Sequence, residues 1–89
     1  MSTTVAAIEA RLTEALAPVS LHIDDESALH AGHAGARDGG GHYRVDIVSA
    51  VFAGKNTVAR HRLIYAALGD LMPRAIHALA IRASTPDEL

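Results

Sequence analysis

The residues in this chain best suited to chemistry are its histidines. There are six, and His22, His30, His33 and His42 fall in one short stretch, with His61 and His77 further on. His30 and His33 are separated by two residues in glycine-rich sequence, and neutral imidazoles at such spacing can ligate a metal ion. The plain alternative is a polar, solvated loop. No cysteine is present, which excludes disulfides, thiol catalysis and any thiolate-only metal site. Asp24, Asp25 and Glu26 adjoin the histidines, and carboxylates with imidazoles could form a hydrolytic metal centre. A long glycine-rich loop is a poor scaffold for such a centre, so no enzymatic activity is expected. A second group is cationic. Lys55, Arg60 and Arg62 crowd the start of a helix, where basic side chains oppose the helix dipole. They either reach into solvent or pair with Asp46 and Asp70, or they form an anion-binding face for a partner or a nucleic acid.

The elements that must position these residues are legible from periodicity. Val5, Ile8, Leu12 and Leu16 recur at helical spacing, predicting a helix from about Thr4 to Leu16. Ser2, Thr3 or Thr4 can cap it and Pro18 ends it. Val19, Leu21 and Ile23 alternate with Ser20, His22 and Asp24, the period of a half-buried strand. From Glu26 to Gly41 the pattern disappears, and "ESALHAGHAGARDGGG" carries five of the seven glycines. This stretch reads as a long mobile or disordered hairpin loop, about 27–41. Its Gly32–Gly35 GxxG is not flanked by helices, so it is not the backbone clamp of a KH domain.

A second strand places Tyr43, Val45 and Ile47 on one side, with Val48 extending the run, and "AGKN" is a turn. A second helix is expected from Thr57 to about Met72, with His61, Ile64, Tyr65 and Leu68 on its apolar stripe. His61 then reads as a packed core histidine and His22 as an exposed strand residue. Pro73 stops the helix or opens a short turn to Ile76. "HALAIRA", His77 to Ala83, is a third strand, and 84–89 an exposed tail.

The order α-β-β-α-β fits a two-layer α+β sandwich, with a three-stranded mixed sheet and both helices on one face. The first two strands close as an antiparallel hairpin. The second and third are joined by a helical connection, hence parallel. Parallel strands begin at the same sheet edge, so His42, the loop histidines His30 and His33, and His77 should gather there.

Composition narrows the function. Eighty-nine residues suit a single domain, 1–89, burying about 60–65% of its unfolded surface. The net charge of −2 argues against a general nucleic-acid binder. No apolar run approaches the roughly 18–20 residues of a membrane span. Met1 to Ala7 lacks the features of a signal peptide, so a cytoplasmic location is expected.

Four segments resemble the BolA family in order and spacing: "DESALHAGH" (Asp25 to His33), "HYRVDIVSAVFAGK" (His42 to Lys55), "RHRLIY" (Arg60 to Tyr65) and "IHALAIRASTPDE" (Ile76 to Glu88). The likeness spans nearly the whole chain and implies a class II KH-like fold. It also implies a non-enzymatic protein that pairs with a monothiol glutaredoxin and shares a glutathione-bound [2Fe-2S] cluster, in iron–sulfur trafficking or iron and redox sensing. The isolated chain is then expected to carry no cofactor and to be a monomer or weak dimer. The ligand at the start of the last strand corresponds to His77. The second comes from the hairpin loop, where His30 is favoured by its position after "DES", with His33 and His42 as further candidates. This chemistry is reasonable, because imidazoles replace two thiolates on one iron in Rieske centres. The family also includes transcriptional regulators of stress response and morphology, so DNA is the alternative partner, through Lys55, Arg60 and Arg62.

Overall fold

A computed structural model describes residues 3–26 and 41–89. Helix α1 (Thr3–Leu16) leads to strand β1 (Ser20–Asp25), then to β2 (Gly41–Val48) and a 3₁₀ turn (Ala50–Phe52). Helix α2 (Thr57–Leu68), a four-residue helix α3 (Leu71–Arg74), strand β3 (Ile76–Ser84) and a last 3₁₀ turn (Pro86–Glu88) complete the order. The sheet runs β1-β2-β3, with β1 antiparallel and β3 parallel to β2. This is the expected α+β sandwich. Most of the loop expected over 27–41 lies outside the described residues. Gly41, its last residue, instead opens β2 and donates its N–H to Ala75 O at 3.1 Å.

Each element forms for a local reason and is held by a non-local one. Ile8, Leu12 and Leu16 of α1, Tyr43, Val45 and Ile47 of β2, and Ile64 and Leu68 of α2 share a core with Phe52 and Ile76. Burying each such aliphatic side chain stabilises the fold by about 1.5–3 kcal/mol. Ser49 is buried beside Phe52, and its hydroxyl donates to Leu16 O at 2.6 Å, satisfying a carbonyl at the end of α1.

Helix α2 is shorter than expected. Gly69 ends it at φ 54°, ψ −126°, a conformation open to glycine, and its N–H bonds to Tyr65 O. Met72 precedes Pro73 and is extended (φ −103°, ψ 124°), because the proline ring disfavours helical backbone before it. The apolar stripe also differs from the expected one. Tyr65 is exposed and His61 half-buried, whereas Leu63 and Ala67 pack against the core with Ile64 and Leu68. None of the described helices is long and apolar enough to cross a membrane.

Candidate metal centre at the shared edge of β2 and β3

The parallel pairing brings the first residues of β2 and β3 together, as topology requires. Gly41 lies opposite Ile76 and His42 opposite Ala78, so His77 is an extra residue in a β-bulge. The bulge follows from packing. Ile76 is fully buried, and Leu79, Ile81 and Ala83 also pack on the core. Three residues from Ile76 to Leu79 break the strand period of two, and one extra residue restores the phase. His77 is that residue, and it faces solvent.

His42 is half-buried, with its Nε2 atom shielded from solvent. The His42 and His77 ring centroids are 5.3 Å apart, their planes tilted by 49°. With metal–nitrogen bonds of about 2.0–2.1 Å, two imidazoles on one tetrahedral ion stand roughly 5 Å apart. The centroid separation of the pair matches that spacing. Among the described residues no third His, Asp or Glu joins them in a metal-holding group.

The strand start is tightly built. Glu26 N–H donates to His42 O at 2.7 Å, fastening the end of β1 to the start of β2. The Tyr43 ring folds back over Gly41, and a Cβ at Gly41 would meet two ring carbons and the hydroxyl oxygen at 2.5–2.6 Å. An open cleft of about 250 Å³ beside His42 is lined by Glu26, Tyr43, Ala78, Leu79 and Ala80. The Glu26 carboxylate is 3.4 Å from Arg44 Nε. His30 and His33 lie outside the described residues. His22 faces solvent on β1, with Nε2 2.9 Å from Asp24 Oδ1.

The cationic group lies at the other end of the sheet, beyond Val48. The eight residues of β2 separate the two ends by roughly 20 Å or more. Arg60 is only 14% exposed and is fully engaged. Its Nε donates to Lys55 O at 2.8 Å and its Nη1 to Ala83 O at 3.1 Å. Nη1 and Nη2 also grip Glu88 at 2.6 and 2.9 Å. The hydrogen bond from Arg60, helped by that from Thr85 N–H, lowers the Glu88 carboxyl to a pKa of about 2. The segment 84–89 is thus not a free tail: Thr85 is buried, and Thr85 and Glu88 form a capping box. The T-x-x-E spacing carried that signal in the sequence. Of the two plain alternatives for these cations, pairing with Asp46 and Asp70 is not the one found. Asp46 faces Arg82, and Asp70 faces Arg11 and Arg74. Lys55 and Arg62 remain exposed, with no ion pair among the described residues.

Comparison with known proteins places these features in context. Residues 12–88 match the family model described as BolA, BolA-like protein. SufE-like protein 1, chloroplastic/mitochondrial, of Arabidopsis thaliana is 46% identical over 87 residues, covering 92% of this chain and 24% of that protein. The DNA-binding transcriptional regulator BolA of Vibrio cholerae is 40% identical over 81 residues, covering 91% of this chain and 74% of that protein. Among solved structures, the BolA domain of SufE1 from Arabidopsis thaliana superposes with a TM-score of 0.88 at 41% identity, covering 100% of this chain and 99% of that one. The chain spans 24% to 57% of the length of several curated relatives. Some of these carry organelle names, so a cytoplasmic location does not follow from membership of the family.

Proposed function

The chain belongs to the BolA-like family, and we propose that it is a non-catalytic partner of a monothiol glutaredoxin, supplying histidine ligands to a shared, glutathione-bound [2Fe-2S] cluster. The observation that carries this reading is the approach of His42 and His77, whose ring centroids are 5.3 Å apart at the bulged edge of the parallel strands. His77 is the first ligand. His42 is the second described side chain in reach, and it stands on a strand rather than in the loop with His30 and His33. With no cysteine in the chain, the sulfur ligands must come from the partner and from glutathione. When bound, the cluster supplies electron storage and an exchangeable iron–sulfur unit. The chain's own part is to present the exposed His77 with the half-buried His42 beside it, at an edge that a partner can cover.

The test is anaerobic reconstitution with a monothiol glutaredoxin, iron, sulfide and glutathione, followed by visible circular dichroism. A spectrum distinct from that of the glutaredoxin alone, and altered by both His77→Ala and His42→Ala, supports the assignment. Alteration by His77→Ala but not His42→Ala moves the second ligand to His30 or His33. A mixture that never departs from the glutaredoxin spectrum removes the cluster reading.

The second reading, a DNA-binding regulator, rests on the name of the Vibrio cholerae relative and on exposed Lys55 and Arg62. It is weaker here. Arg60 is engaged by Glu88, and the total charge of −2 opposes phosphate binding. Salt-dependent binding to duplex DNA, reduced by Lys55→Ala and Arg62→Ala and indifferent to His77→Ala, would favour it.

A further inference from the structure

The two outer strands of the sheet each leave one side of their backbone without a neighbouring strand, and they are not protected alike. β1 carries His22, Asp24 and Asp25 among its six residues, and charge of this kind discourages another chain from pairing. β3 is longer, and from Ala78 to Ile81 it carries only apolar side chains. Among the described residues no strand pairs with its outer side.

Two hydrogen bonds fix which way its backbone groups point. Ser84 O accepts from Ser49 N–H, just past the end of β2, whereas Ala83 O accepts from Arg60 Nη1. Successive strand residues turn their N–H and C=O to opposite sides. Ala78, Ala80 and Arg82 therefore direct theirs to β2, as Ser84 does, and Leu79 and Ile81 direct theirs outward with Ala83. This outward row is closed at both ends. Arg60 occupies Ala83 O, and the bulge at His77 breaks the row before Leu79. Leu79 and Ile81 are left open between them, and the flanking Ala78 and Ala80 are exposed and small.

We propose that this open segment is a self-association surface, pairing antiparallel with the same segment of a second copy about a twofold axis at Ala80. Leu79 then faces Ile81 of the second copy, and Ile81 faces its Leu79, each pair exchanging both backbone bonds. The side chains suit that register. Arg82 is the one charged residue from Ala78 to Ala83, and it lies opposite Ala78 of the second copy rather than opposite its own counterpart. The half-buried Leu79 and Ile81 meet the same two side chains on the helical side, and alanine methyls meet on the other. The length also suits it. A longer foreign strand would run into the bulge and the Arg60 side chain, whereas the self-paired ladder needs only the two open residues. This pairing is independent of the cluster reading above.

Sedimentation equilibrium of the isolated chain, over a concentration series up to about 1 mM, should show a reversible dimer. Ala80→Lys sets like charges against each other across the axis and should raise its dissociation constant by up to about fivefold, while Ala78→Glu, facing Arg82, should lower it. Because the chain has no cysteine, a single introduced one reports the register. Ala80→Cys places two thiols directly opposite, with Cα atoms about 4.5 Å apart, within disulfide reach. Ala78→Cys places them roughly 13 Å or more apart, beyond it. Oxidised glutathione should therefore cross-link Ala80→Cys well ahead of Ala78→Cys. Equal cross-linking at the two positions, or a dimer indifferent to both charge substitutions, overturns the proposal. A chain that stays monomeric throughout the series also overturns it and leaves the edge to a strand from another protein.

Discussion

Gly41→Ala tests the packing that delivers His42 to its place. A Cβ at residue 41 would lie 2.5 Å from Tyr43 Cε2 and from its hydroxyl oxygen, so the ring must move. Tyr43 is 5% exposed, and expelling its ring would expose roughly 150–200 Å², about 4–5 kcal/mol at 25 cal/mol per Å². A partial swing that leaves the ring half-covered but off its rotamer costs about 0.5–1.5 kcal/mol for the torsion and a share of that area. Alanine in a strand recovers roughly 0.5–1 kcal/mol relative to glycine. The net expectation is a loss of about 1.5–3 kcal/mol, a fall in Tm of roughly 6–24 °C for a domain of this size. Urea unfolding followed by far-ultraviolet circular dichroism measures it, with an unchanged m-value showing that the native state stays compact. The decisive arm is the same substitution made in a Tyr43→Leu background. With no ring over residue 41, Gly41→Ala should be neutral or stabilising there, giving a coupling of about 2 kcal/mol or more. An equal cost in both backgrounds would refute the argument that Gly41 exists to let Tyr43 cross the start of β2.

Three further outcomes follow from the described contacts. Ser49→Ala removes the donor to Leu16 O and the acceptor for Val51 N–H in a fully buried position, and should cost about 2 kcal/mol by urea unfolding. The depressed Glu88 carboxyl contributes stability that is complete above its unfolded pKa, near 4.5, and is lost as pH falls through about 2. The gap in urea midpoint between wild type and Glu88→Gln should therefore be full at pH 7, narrow below about pH 5 and close near pH 2. Deleting His77 takes out the bulged residue but keeps Ile76 and Leu79 on the core face, so the deletion variant should fold with Tm within a few degrees of wild type. A deletion that unfolds the chain would show that the bulge, rather than the phase of Ile76 and Leu79, holds β3 in register.

The element order was readable from sequence because it rests on local periodicity. Ile8, Leu12 and Leu16 repeat with the helical turn, and Tyr43, Val45 and Ile47 with the strand pleat, each reporting which side will be buried. Chain connectivity alone then required a parallel β2/β3 pair and so placed His42 and His77 at one edge. What tertiary structure decided was everything that depends on phase and on distant partners. The bulge at His77 arises only because Ile76 and Leu79 must both meet the core, and no strand pattern beginning at His77 contains that conflict. Arg60 looked like a surface cation because Glu88, its partner, lies 28 residues away. Arg11 and Asp70 are 59 residues apart and meet only once α1 packs beside the end of α2. Periodicity reports the face a side chain occupies. Which distant charge waits on that face is settled when the chain closes, since pairs so far apart leave no mark on local spacing.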